Sequence, residues 1–184
     1  MRLGRAAWRF DFRGHGDSSG HIEDLALSDL LLDARSVLAV AGPSVLVGSS
    51  LGGLVAAWTA VRNPELVKSL CLIAPAFGFL DRHAARPRSD GHFVITSPWT
   101  SVRIHERAIE DARKYDETKL AGSISIPTVV VHGENDETVP PTVSERFFAD
   151  LATRDKHLWI VPGGDHRLNT FVAPIFDLMV QHLG

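Results

Sequence analysis

The chain has 184 residues, 45% of them hydrophobic and 22% charged, with a formal net charge of −3. That is enough chain for one ordinary globular domain with its own core, and the acid excess argues against nucleic acid as the main partner. No apolar run approaches the ~20 residues of a membrane span, residues 1–9 hold no apolar signal-peptide core, and the single Cys71 excludes an intramolecular disulfide. A cytoplasmic location is the resulting expectation.

Strand-like and helix-like patterns alternate along the chain, with no internal repeat. Residues 6–12 read as a strand. Residues 23–40 read as a helix, because Leu27, Leu30, Leu31, Ala34, Val37 and Leu38 recur at helical spacing. A short apolar strand at 44–47 leads into a helix at 51–62. Residues 69–74 form the next strand, with Cys71 as buried packing. The rhythm breaks over 77–123. Residues 82–91 are rich in Arg, Pro and Asp and read as an exposed loop, and 101–115 reads as helical. We treat this stretch as an insertion over the strand ends. Strands at 127–132 and 157–161 then alternate with helices at 141–151, begun by a proline, and at 170–182. Such alternation predicts an α/β fold with a mostly parallel sheet flanked by helices.

The segment Gly48-Ser49-Ser50-Leu51-Gly52 lies between a strand and a helix, in the G-x-S-x-G pattern of a nucleophile elbow. A serine on that tight turn projects its hydroxyl into a cleft. The residues two before and two after it must be small, since strand and helix pass close together there. The register selects Ser50, between Gly48 and Gly52, over Ser49, between Val47 and Leu51. The plainer alternative is a loop whose serine merely caps the helix.

A nucleophilic serine needs a base, and the base needs an orienter. With an elbow they follow in the order Ser, Asp or Glu, His. Asp136 lies just past the strand at 127–132, with Glu134 and Glu137 as competitors. His166 follows the strand at 157–161 in Pro162-Gly163-Gly164-Asp165-His166. Both loops leave the carboxyl ends of strands, where open α/β sheets bind ligands. Singly, Asp136 reads as a turn residue or cap and His166 as a surface histidine, with Asp165 shaping its turn. In fixed order, each past a strand, the three point to a triad. The Leu51 N–H, at the helix start, is the expected oxyanion donor. No metal or cofactor is called for, and His132 has no second metal ligand at a plausible spacing.

Residues 11–18 (Asp11-Phe12-Arg13-Gly14-His15-Gly16-Asp17-Ser18), 48–52, 132–140 and Gly164-Asp165-His166 together resemble the α/β-hydrolase family. The resemblance runs from residue 6 to the end. It implies a single domain, 1–184, with 77–123 as a small lid. It also implies hydrolysis of a small-molecule carboxylic ester or thioester through an acyl-enzyme, with Ser50 as nucleophile, His166 as base and Asp136 as acid. Phe93, Ile95 and Trp99 in the lid either line an acyl pocket or pack the lid on the core. Arg13 and Asp11 take structural roles near His15. The short lid, Gly48–Gly53 and Asp165-His166-Arg167-Leu168 look most like acyl-protein thioesterase and acyl-glucuronide esterase relatives. A serine at position 50 argues against haloalkane dehalogenase chemistry, while cofactor-free perhydrolase chemistry uses a similar triad.

The chain departs from that family at its start. In members, the segment matching 11–14 follows the fourth strand, and three strands, an oxyanion loop and a helix precede it. Residues 1–5 resemble the tail of that helix. The expectation is an N-terminally truncated α/β-hydrolase fold with five parallel strands. Residues 6–12 then lie at an edge, pairing with 44–47 or leaving a gap, and a gap predicts homo-oligomers. The competing class is a non-catalytic or impaired fragment that associates with a partner chain.

Overall fold

The computed structural model describes residues 6–97 and 100–183. Four parallel strands form the central sheet in the order β1-β2-β5-β6: β1 (Ser44–Ser49), β2 (Val67–Ile73), β5 (Thr128–Gly133) and β6 (Lys156–Val161). Between β2 and β5 lies a separate antiparallel hairpin, β3 (His92–Ser97) and β4 (Thr100–His105). The helices are α1 (Leu27–Ala41), α2 (Leu51–Arg62), α3 (Phe79–His83), α4 (Arg107–Ala112), α5 (Pro141–Asp150) and α6 (Val172–Leu183).

Side chains alternate across a strand, and the two inner strands use both faces. Leu70 and Leu72 of β2 and Val130 of β5 enter the larger core with α1, α2 and α5. Cys71, Val129 and Val131 enter the smaller core, against Ile175, Leu178 and Met179 of α6. Burial on both faces explains why these strands are continuously apolar. Each fully buried aliphatic chain contributes ~1.5–3 kcal/mol.

Helix α1 buries the stripe Leu27, Leu30, Leu31, Ala34 and Leu38. Its N-terminal residue Ala26 offers no side-chain cap. Instead Asp111 of α4 accepts the Ser28 N–H at 2.7 Å and the Ser28 hydroxyl at 2.7 Å. The other end closes on Gly42, at φ 76°, whose N–H reaches Leu38 O at 2.8 Å.

Residues 6–12 do not form the expected edge strand, and the parallel sheet has four strands rather than five among the described residues. A strand exists only through its ladder partners, and none pairs with this segment among the described residues. Trp8 and Phe10 in it are exposed, and it leads into a turn pinned by Arg13. That guanidinium grips Asp33 at 2.6 Å and Asp29 at 3.0 Å on α1. The β1 edge is therefore open among the described residues, with Val47 55% exposed.

The insertion also differs from expectation. Residues 101–105 belong to strand β4, not to a helix, and α4 covers only Arg107–Ala112. Phe93 pairs with Ile104 across the hairpin, and both are buried in the larger core. The expected helix tail at 1–5 lies outside the described residues. No helix among the described residues is long and apolar enough to cross a membrane.

Candidate active site

Strand β1 ends at Ser49, and the next residue, Ser50, adopts φ 51° and ψ −118°. A serine at positive φ is strained and persists only where its surroundings over-determine it. Here the Ser50 N–H donates to Ile73 O at 2.9 Å. Its carbonyl accepts from Gly53 N at 3.0 Å and Ala76 N at 2.9 Å. The crossing of strand and helix leaves no room at Gly48, where a Cβ would sit 2.3 Å from Gly52 O. Gly53 is also confined, though less tightly, its Cβ position being 2.8 Å from Pro75 Cβ, while a Cβ at Gly52 meets nothing within 4 Å. The position after the serine that must stay small is thus 53 rather than 52.

The acid and base loops are locked to each other before either side chain is considered. Asn135 N–H donates to Gly164 O at 2.8 Å, and Glu134 N–H to Val161 O at 3.0 Å. A Cβ at Gly133 would lie 2.4 Å from the carbonyls of Gly164 and Asp165. Asp165 then shapes the turn after the histidine, its Oδ1 accepting Leu168 N–H at 2.8 Å.

The consequence is a continuous chain of hydrogen bonds. His166 Nδ1 lies 2.7 Å from Asp136 Oδ2, and His166 Nε2 lies 3.0 Å from Ser50 Oγ. A carboxylate only accepts, so Nδ1 carries the proton and Nε2 is left to accept from the serine. Asp136 Oδ1 accepts the N–H groups of Thr138 and Val139, each at 2.8 Å. Burial alone would raise the Asp136 pKa. Hydrogen bonds from His132, His166 and the Val139 N–H outweigh it and hold the carboxyl well below the usual carboxylate range.

Of the competing acids, Glu134 is exposed and bonds Gly163 N–H at 2.9 Å, and Glu137 is exposed. Leu51 opens α2, where the first N–H groups have no partner within the helix. A small cavity of about 10 Å³ lies beside it, lined by Leu25, Leu30, Leu54, Phe79 and Ala108. Phe93 is 1% exposed, with the His83 ring stacked nearby, and Ile95 is half-buried against the larger core. Trp99 lies outside the described residues. His132 and Ser144 were not singled out for this site by sequence. His132 sits four residues before Asp136, and its ring bonds the same carboxylate at 3.0 Å.

The sequence pattern of the alpha/beta hydrolase family matches residues 2–176. The chain belongs to this family. Over 179 residues it is 30% identical to the palmitoyl-protein thioesterase ABHD10, mitochondrial, of Mus musculus, covering 90% of this chain and 60% of that protein. The chain therefore spans less than two thirds of that relative's length. The structure of mouse alpha/beta hydrolase domain-containing protein 10 superposes with a TM-score of 0.76 at 28% identity, covering 94% of this chain and 77% of that one. Est1E of Butyrivibrio proteoclasticus, solved with ferulic acid, gives a TM-score of 0.80 at 21% identity, covering 94% and 75%. At that identity the second likeness speaks to the alpha/beta hydrolase fold alone.

Proposed function

We propose that the protein is a serine hydrolase of carboxylic esters or thioesters, acting through Ser50, His166 and Asp136. The observation that carries this reading is the unbroken chain Ser50 Oγ–His166–Asp136, at 3.0 and 2.7 Å. The thioesterase relative supports the substrate class. In the first step His166 Nε2 takes the Ser50 proton as Oγ bonds to the acyl carbon. The tetrahedral oxyanion is held by the Leu51 N–H. Collapse expels the alcohol or thiol, which leaves with the proton from His166. Water, deprotonated by His166, then attacks the acyl-enzyme and releases the acid and Ser50. Asp136 stays ionised throughout, fixing the imidazole tautomer and stabilising the imidazolium.

A panel of p-nitrophenyl esters and acyl-thioesters of increasing chain length tests this. The reading predicts turnover that Ser50→Ala abolishes, and turnover unchanged in that variant contradicts it. The second reading, an impaired module that associates with a partner chain, is favoured by exposed Val47 and by a β1 edge that is open among the described residues. Absence of turnover across the whole panel supports it.

A further inference from the structure

The hydrogen-bond chain continues past Asp136. His132 is fully buried at the end of β5, and its Nε2 lies 3.0 Å from Asp136 Oδ2 and 2.9 Å from Val139 O. Both partners are acceptors, so Nε2 carries a proton. Its Nδ1 lies 2.7 Å from Oγ of the buried Ser144 on α5. In the neutral ring Nδ1 accepts the serine hydroxyl. Oδ2 is therefore shared by two histidines, while Oδ1 takes two backbone N–H groups. A carboxylate offers about four acceptor sites, and these four donors occupy them. Arg82 of α3 also faces Asp136 electrostatically, its guanidinium held by the carbonyls of Ala76 and Phe77.

We propose that His132 is a positioning residue of the triad, donating through Nε2–H to the same Asp136 oxygen that orients His166 and limiting how strongly that oxygen holds the imidazolium. This rests on the serine-hydrolase reading. The physical argument is a competition. A carboxylate oxygen relieved of one donor becomes a better partner for the other. Without the His132 N–H, Asp136 stabilises protonated His166 more, and the base becomes neutral at higher pH. The carboxylate also loses a fixed contact, so the reacting groups are held less firmly.

The test is the pH profile of kcat/KM, with rates expressed per fluorophosphonate-titrated Ser50 so that unfolded protein does not count. His132→Leu should move the acid limb up by about one pH unit and lower kcat about tenfold, with KM unchanged. His132→Gln, whose amide places an N–H near the Nε2 position, should restore the limb. An acid limb unmoved by His132→Leu overturns the proposal. If that variant does not fold, Ser144→Ala takes its place, since it frees Nδ1 and should move the limb in the same direction by less. A Ser144→Ala limb identical to wild type then overturns the proposal. Ring ¹⁵N spectra of the unmodified protein give an independent reading. The Nε2–H tautomer at His132 supports the shared oxygen, and the Nδ1–H tautomer refutes it. Failure of wild-type Ser50 to label refutes instead the serine-hydrolase reading on which the proposal stands.

Discussion

Gly48 and Gly52 meet backbone to backbone, so that a Cβ on Gly48 would stand 2.3 Å from the Gly52 carbonyl oxygen. Neither atom belongs to a flexible side chain that could yield. Gly48→Ala should destabilise the fold by about 3 kcal/mol and displace Ser50. Gly52→Ala, with nothing within 4 Å of its new methyl, should cost nothing in a helix. Urea midpoints of the two variants check this, and equal midpoints contradict it.

Asp136→Asn should reduce kcat by on the order of 10⁴, because an amide N–H facing Nδ1 reverses the imidazole tautomer. Glu134→Gln should be mild, since Glu134 braces Gly163 rather than His166, and Glu137→Gln milder still. Steady-state kinetics on one ester suffices. A large loss at Glu134 with little at Asp136 would reassign the acid.

Asp111 supports a stability prediction with a definite sign. Burial raises its pKa, but hydrogen bonds from Lys114 and from the Ser28 N–H and hydroxyl prevail, and it lies below its usual value. A group depressed in the folded state contributes stability that is present above its unfolded pKa and lost as pH falls through the folded one. Asp111→Ala should therefore cost about 1–2 kcal/mol at neutral pH through the lost α1 cap. The deficit should shrink below about pH 4. A deficit constant down to pH 2 in urea titrations contradicts the assignment.

The β1 edge, open among the described residues, predicts self-association. An unpaired strand edge near exposed apolar surface is a template for a second strand, and Val47 of β1 is 55% exposed. Light scattering should show mass rising with concentration for the wild type and less so for Val47→Lys. A concentration-independent monomer mass for the wild type would sink this expectation.

What the sequence revealed was what local pattern controls. Helix α2 was read residue for residue, because the elbow fixes its start and an apolar run fills it. Strands β2, β5 and β6 were placed within a residue or two, since buried parallel strands are continuous apolar runs. The order Ser50, Asp136, His166 was legible because each follows a strand. Residues 6–12 were misread because strand identity resides in a neighbour, not in the segment. Residues 101–105 were misread because a short polar-apolar alternation is easily absorbed into a longer helical window. The Asp111 cap on Ser28 joins residues 83 positions apart, which no local signal conveys. The shift from Gly52 to Gly53 is a matter of which backbone faces Pro75. His132 was visible as a histidine at a strand end, but its ring orientation toward Asp136 is a tertiary fact.

The most direct test of the central claim is covalent. A fluorophosphonate probe should form one adduct, which mass spectrometry should map to Ser50, and Ser50→Ala should abolish it. His166→Ala should slow labelling severely, since the unassisted hydroxyl is a weak nucleophile. An adduct on Ser49, or undiminished labelling of Ser50→Ala, would contradict the account.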